Sequence, residues 1–214
     1  MINDVIFNNE ISALRDWNIV LTKSEIPFPK AKKSTVDIKA SDGVLDLSEA
    51  LSGEIKYSNR EIKLTFELLD DSEYNDLLRE IGAYIHGKKI TFQLTNDNLY
   101  YYTGRASIDT WECVQRKGKI VISVDCEPYK YRVDETIINE VVNGTKTVIL
   151  TNERKRVHPT ITVQGSVTIT YNDSSYGLSS GVHRLLTFYL DEGDNIITLD
   201  GNGSVKFTYR MGAL

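Results

Sequence analysis

Between residues 61 and 68 the chain reads EIKLTFEL, in which Ile62, Leu64, Phe66 and Leu68 alternate with Glu61, Lys63, Thr65 and Glu67. A period of two places the apolar residues on one face of an extended segment and the charged ones on the other. The segment therefore predicts an antiparallel strand with one face buried and one wet. A slip of one residue would turn every charge inward, so the neighbours of this strand must be arranged around a fixed register. Upstream, Ile55 and Tyr57 alternate on odd numbers, which predicts a bulge or tight turn across Ser58, Asn59 and Arg60.

Elements on both sides suit that strand. Short strands are expected at residues 5–7 and 17–21, before Pro27 and Pro29 interrupt any ladder. Val36 and Ile38 open another strand, ended by the Asp42-Gly43 turn. One helix is predicted: Tyr74, Leu77, Leu78, Ile81 and Ile85 share a face, Asp71 or Ser72 can cap it, and Gly87 suits its end. Residues 89–94 and 99–108 form a hairpin about Asn96-Asp97-Asn98, with Tyr100 and Tyr102 opposite Tyr101 in facing. A last strand over residues 119–126 carries Ile120, Ile122, Val124 and Cys126 on one face and ends at Pro128.

Beyond Arg132 the texture changes to short apolar runs punctuated by glycine, at Gly165, Gly177, Gly181, Gly193, Gly201 and Gly203. Asn143-Gly144 reads as a type I′ hairpin turn, and closely spaced strands without a helix predict a small β-sandwich. At 214 residues the chain is long enough for two domains, here 1–132 and 133–214.

Several segments together resemble one family. Gly43-Val44-Leu45-Asp46-Leu47-Ser48-Glu49-Ala50, Ile55-Lys56-Tyr57-Ser58-Asn59-Arg60, Tyr101-Tyr102-Thr103-Gly104-Arg105-Ala106 and Asp125-Cys126-Glu127-Pro128-Tyr129-Lys130-Tyr131, in this order, look like the distal tail proteins of long-tailed bacteriophages and prophages. The resemblance implies a mainly β (α+β) chain: an N-terminal sheet or sandwich with one packed helix and a hairpin, then a galectin-like or carbohydrate-module-like sandwich. It also implies a homo-hexameric ring at the virion tail tip. That ring would join the tail tube protein to the tail-tip hub or baseplate, with a receptor-binding protein as a further neighbour, and DNA would pass through without specific binding.

The residues themselves exclude other classes. A net charge of −5 gives no general grip on nucleic acid or an anionic membrane, and Lys30, Lys32 and Lys33 read as a solvated loop. No stretch approaches the ~20 apolar residues of a membrane span, and the amino terminus has no signal-peptide pattern, so synthesis in a bacterial cytoplasm is expected. His86, His158 and His183 stand apart, and no GxSxG, P-loop, GxGxxG or HExxH occurs. No enzyme, cofactor or metal site is expected. Cys113 and Cys126 are too few for a disulfide framework. Cys126 reads as a buried small hydrophobe, with a bridge to Cys113 left open.

Two sets of residues are candidate sites. Arg60 and Arg105, at a register break and a strand start, have the planar fork that pairs with carboxylates, and at least one is expected part-buried beside an acid. Tyr171, Tyr176 and Tyr189, with His183 and Arg184 nearby, are the rings through which the second domain could contact a cell-wall saccharide. The region has no Trp, and a docking platform for other tail proteins is the preferred reading.

Overall fold

The computed structural model describes residues 4–39, 41–69, 74–114 and 117–214. The fold is mainly β, with strands joined in antiparallel ladders and one substantial helix. The chain divides into two compact units, Met1–Lys130 with Leu214, and Tyr131–Ala213.

The first unit is built on the alternating strand. Its elements are β1 (Val5–Phe7), β2 (Ile11–Ser12), α1 (Ala13–Trp17), β3 (Ile19–Glu25), β4 (Thr35–Asp37), β5 (Val44–Asp46), β6 (Arg60–Leu68), α2 (Tyr74–Ile85), β7 (Lys89–Leu94), β8 (Tyr100–Val114) and β9 (Lys117–Cys126). One sheet runs in the order β2-β1-β7-β8-β9-β6-β3, and among the described residues β4 pairs only with β5. In β6, Ile62, Leu64 and Phe66 are fully buried while Glu61 and Glu67 are exposed. The partner strand β9 matches it with Val124, Ile122 and Ile120 directly opposite. Each such side chain contributes about 1.5–3 kcal/mol on burial, so the alternation sets both register and core.

Phe7, Trp17, Phe66 and Phe92 close the core, with Phe7 centred 5.4 Å from Trp17 and 6.4 Å from each phenylalanine. Ile81 and Ile85 of α2 are buried in the same cluster, and Gly87 follows the helix at φ 75°. The proposed Asp71 or Ser72 cap lies outside the described residues. Two expectations change. Trp17 ends a short helix rather than opening a strand: Ser12 Oγ accepts from Arg15 N, and Asp16 accepts from Ser12 N, two local bonds that offset the missing helix partners. Ile55 and Tyr57 do not belong to a strand continuous with β6; only Tyr57 bridges, to Ala31. Cys126 is buried, as expected, and free.

Burial also pushes the Cys126 thiol up to about 12. In the unfolded chain a thiol ionises near about 8.5. The contribution of the buried neutral thiol is thus complete below that pH and is lost as pH rises through 12. Denaturation of the wild type followed from pH 8 upward should show this decline, and Cys126→Val should flatten it.

The second unit holds β11 (Thr136–Asn152), β12 (Thr160–Tyr171), β13 (Ser174–His183) and β14 (Gly193–Tyr209) in one sheet ordered β11-β14-β12-β13. Short strands β10 (Lys130–Arg132) and β15 (Gly212–Ala213) pair with each other. The hairpin expected at Asn143-Gly144 is absent: β11 runs through it and pairs with β14 without a register shift from Thr136↔Tyr209 to Asn152↔Gly193. Gly201, Asn202 and Gly203 are likewise interior to β14.

These glycines line a crease. Gly144 lies opposite Gly201, and Gly203 lies opposite both Val142 and Gly165. Their φ angles run from 81° to 153°, a region that side chains other than glycine rarely adopt. Glu140 and Lys146 prove the bend. Six residues of extended strand span about 20 Å, yet Lys146 Nζ donates to Glu140 Oε2 at 2.5 Å. The sheet folds over the crease, so Val163 and Phe207 on one arm and Leu150 and Ile169 on the other bury in a single cluster around Phe188. The sandwich is made by bending long strands, not by stacking short ones.

Candidate functional site

Arg60 opens β6, opposite Cys126 on β9. It is 5% exposed, its guanidinium carbon lies 5.3 Å from the Tyr102 ring centre, and Nη1 reaches the Pro27 carbonyl at 3.4 Å. Among the described residues, Nε and Nη2 have no hydrogen-bond partner. Burial lowers its pKa. The expected burial is there, but the expected carboxylate is not, and among the described residues none pairs with Arg60. A buried guanidinium without counter-charge costs stability; the aromatic face of Tyr102 offsets part of it.

Arg105 sits on β8 between Lys89 and Asp125 in register. Its Nη1 donates to the Gly87 carbonyl, holding the turn after α2. The adjacent acids are engaged elsewhere: Asp125 accepts from Asn59 Nδ2, and Glu127 pairs with Lys89 at 2.9 Å. The structure does not bring Arg60 and Arg105 to one site.

The three tyrosines of the second unit also serve separate tasks. The Tyr171 hydroxyl donates to Asn195 Oδ1, and burial raises its pKa. Tyr176 donates to the Thr187 carbonyl at 3.1 Å. Their rings stand edge-on to Phe188 at 5.6 and 5.8 Å. Tyr189 instead stacks under Arg156, whose guanidinium carbon is 4.1 Å from the ring centre, and meets His158 edge-on. His183 turns back on its own strand, with Nε2 against the Ser179 carbonyl. Tyr171 and Tyr176 pack onto the core and Tyr189 pairs with Arg156, so the three do not form one shared platform.

A surface not singled out from sequence emerges between β3 and β6. Lys32 N donates to Lys56 O and Ser58 N to Lys30 O, making the stem of an arm whose far part is the β4–β5 pair. Val36, Ile38, Val44, Leu45, Leu47 and Leu51 of this arm are all exposed. Exposed apolar residues clustered on one short excursion mark a contact surface. The signal was available in Gly43–Ala50, where apolar residues recur without a partner strand long enough to bury them.

No family model and no curated protein matches the chain. A solved structure does: the crystal structure of the SPP1 Dit (gp 19.1) protein, described as a paradigm of hub adsorption apparatus in Gram-positive infecting phages. It superimposes with a TM-score of 0.69 over 99% of this chain and 100% of that chain, at 13% identity. The chain shares the fold of SPP1 Dit. The likeness bears out the fold that the resemblance read from residues 43–131 implied, and its coverage takes in the second unit as well. Among the described residues no helix is long and apolar enough to cross a membrane.

Proposed function

We propose that this chain is a distal tail protein of a bacteriophage or prophage, a structural subunit of the tail tip rather than an enzyme. Six copies form a ring that joins the tail tube above to the hub or baseplate below and surrounds the path of the DNA. The observation that carries the reading is the match to SPP1 Dit, a hub adsorption protein by its description, over both units of the chain. A ring needs two different complementary surfaces on each subunit, repeated head to tail until they close. The arm supplies the apolar one, with Leu45 and Leu51 facing solvent in the single chain. The second unit stands as a docking platform for other tail proteins, and its tyrosines, turned onto Phe188 or under Arg156, favour that over saccharide binding.

Electron microscopy and mass measurement across concentration, alone and with the tail tube protein, test the ring. Six-membered rings are expected. Leu45→Asp with Leu51→Asp should abolish them while leaving the unfolding free energy of the chain within about 0.5 kcal/mol of wild type, as exposed positions do. A chain that stays monomeric both in solution and in assembled tails would overturn the proposal.

A further inference from the structure

The second unit has a long unprotected edge. β11 ends its sheet and pairs only with β14 among the described residues, so along its length one row of backbone donors and acceptors faces outward. Natural edges are blunted by shortness, proline, bulges or outward charges. β11 lacks most of these: it runs through residues 136–152, contains no proline, keeps perfect register, and its charges, Glu140 and Lys146, lie on one face and pair with each other, while the other face carries only Ile, Val, Asn and Thr. Ile137, Val141 and Ile149 on that face are 50%, 74% and 54% exposed.

The sequence of this edge is complementary to itself. In an antiparallel pair centred on Asn143, Ile137 falls opposite the partner's Ile149, and Glu140 opposite the partner's Lys146. Asn143 meets the partner's Asn143. Each apolar end then grows into a row of three, because Ile149 already has Ile196 as its cross-strand neighbour on β14. The charges gain as well: the Glu140–Lys146 pair within one chain meets its copy in reversed order, giving an alternating quartet. The two-fold axis falls beside the glycine crease, so the bend in one sheet continues into the other.

We propose that two copies of this chain pair through β11 about a two-fold axis at Asn143, joining their second units into one continuous sheet. The occupant is a second copy because the residue pattern that the edge would accept is the one it presents. This interface is separate from the six-fold ring and does not rest on it.

Cysteine linkage in the full chain reads the register directly. Residues directly opposite in an antiparallel pair have Cα atoms about 4.5–5.5 Å apart, within the ~4.4–6.8 Å span of a disulfide. Under mild oxidation at low concentration, Asn143→Cys should give a covalent dimer bridged between the two residue-143 positions. Asn139→Cys alone should give none, but mixed with Thr147→Cys it should link to that chain. The linkage is scored on denatured chains, so ring formation neither creates nor hides it. Charge reversal offers a second readout free of introduced cysteines. Glu140→Lys and Lys146→Glu each place like charges opposite one another and should weaken pairing, whereas mixing the two variants should restore it between unlike chains. Absence of the residue-143 linkage, equal linkage by Asn139→Cys alone, or no recovery on mixing the charge variants would overturn the proposal, including in favour of a foreign strand on this edge.

Discussion

Gly203→Ala should unfold the second unit or destabilise it by about 4 kcal/mol or more, an effect in the exceptional range for one methyl group. A Cβ built at Gly203 lies 2.0 Å from the Gln164 carbonyl oxygen, and φ there is 153°. That oxygen is backbone, as are the next nearest atoms, Gln164 C at 3.0 Å and Gly165 Cα at 3.2 Å, so no side chain can swing away to relieve the clash. The neighbours at the crease repeat the constraint, with a Cβ on Gly165 falling 2.4 Å from Asn202 O and one on Gly201 2.4 Å from Ser166 O. Gly144 is the internal control. Its φ is 81° but nothing lies within 4 Å of an added Cβ, so Gly144→Ala should cost only the left-handed strain, about 1–2 kcal/mol. Urea denaturation of the three chains measures this. Equal costs at Gly203 and Gly144 would show that close strand approach at the crease is not what selects glycine.

The same glycines mark where local reading stops. A type I′ turn and a crease in a long strand both need positive φ, so Asn143-Gly144 satisfies either. What decides is that Gly201, Gly203 and Gly165 arrive in register on neighbouring strands, which is a fact about residues some 20 to 60 positions away. The first unit was more legible because its strands have one wet face. In β6, β7 and β9 the period of two is set by burial against a single core, and each strand appears where its alternation stands.

Helix α1 was missed although its signal, Ser12 followed by Asp16, was present. Apolar Trp17 and Ile19 sit on either side of Asn18, whose φ of 52° ends the helix, and the run reads as one strand. The arginines failed differently. Sequence suggested that a fork such as Arg60's would be buried against a carboxylate, but the residues that reached it were Tyr102 and Pro27, brought by β8 and by the connection after β3. Charge pairing depends on which loop covers a strand end, and nothing in the spacing encodes that.

Asn195→Ala should cost about 3–5 kcal/mol, since it strands several buried groups, each worth about 1–3 kcal/mol when left unmet. Asn195 is almost completely buried. Its Nδ2 donates to the carbonyls of Leu150 and Asp191 at 3.0 Å and of Gly193 at 3.1 Å, while Oδ1 accepts from Asp191 N at 3.0 Å and from the Tyr171 hydroxyl. One amide thus ties β11, the turn entering β14, and Tyr171 on β12. Asn195→Asp keeps the acceptor but removes the donor and turns a carboxylate toward three carbonyl oxygens, so it should be worse than alanine at neutral pH and recover on acidification. Tyr171→Phe removes a single hydrogen bond and should cost about 1 kcal/mol. A shift in denaturation midpoint with unchanged slope against denaturant is the readout. If Asn195→Ala were as mild as Tyr171→Phe, the amide would be a spectator and the Tyr171 hydroxyl would be available to an outside ligand after all.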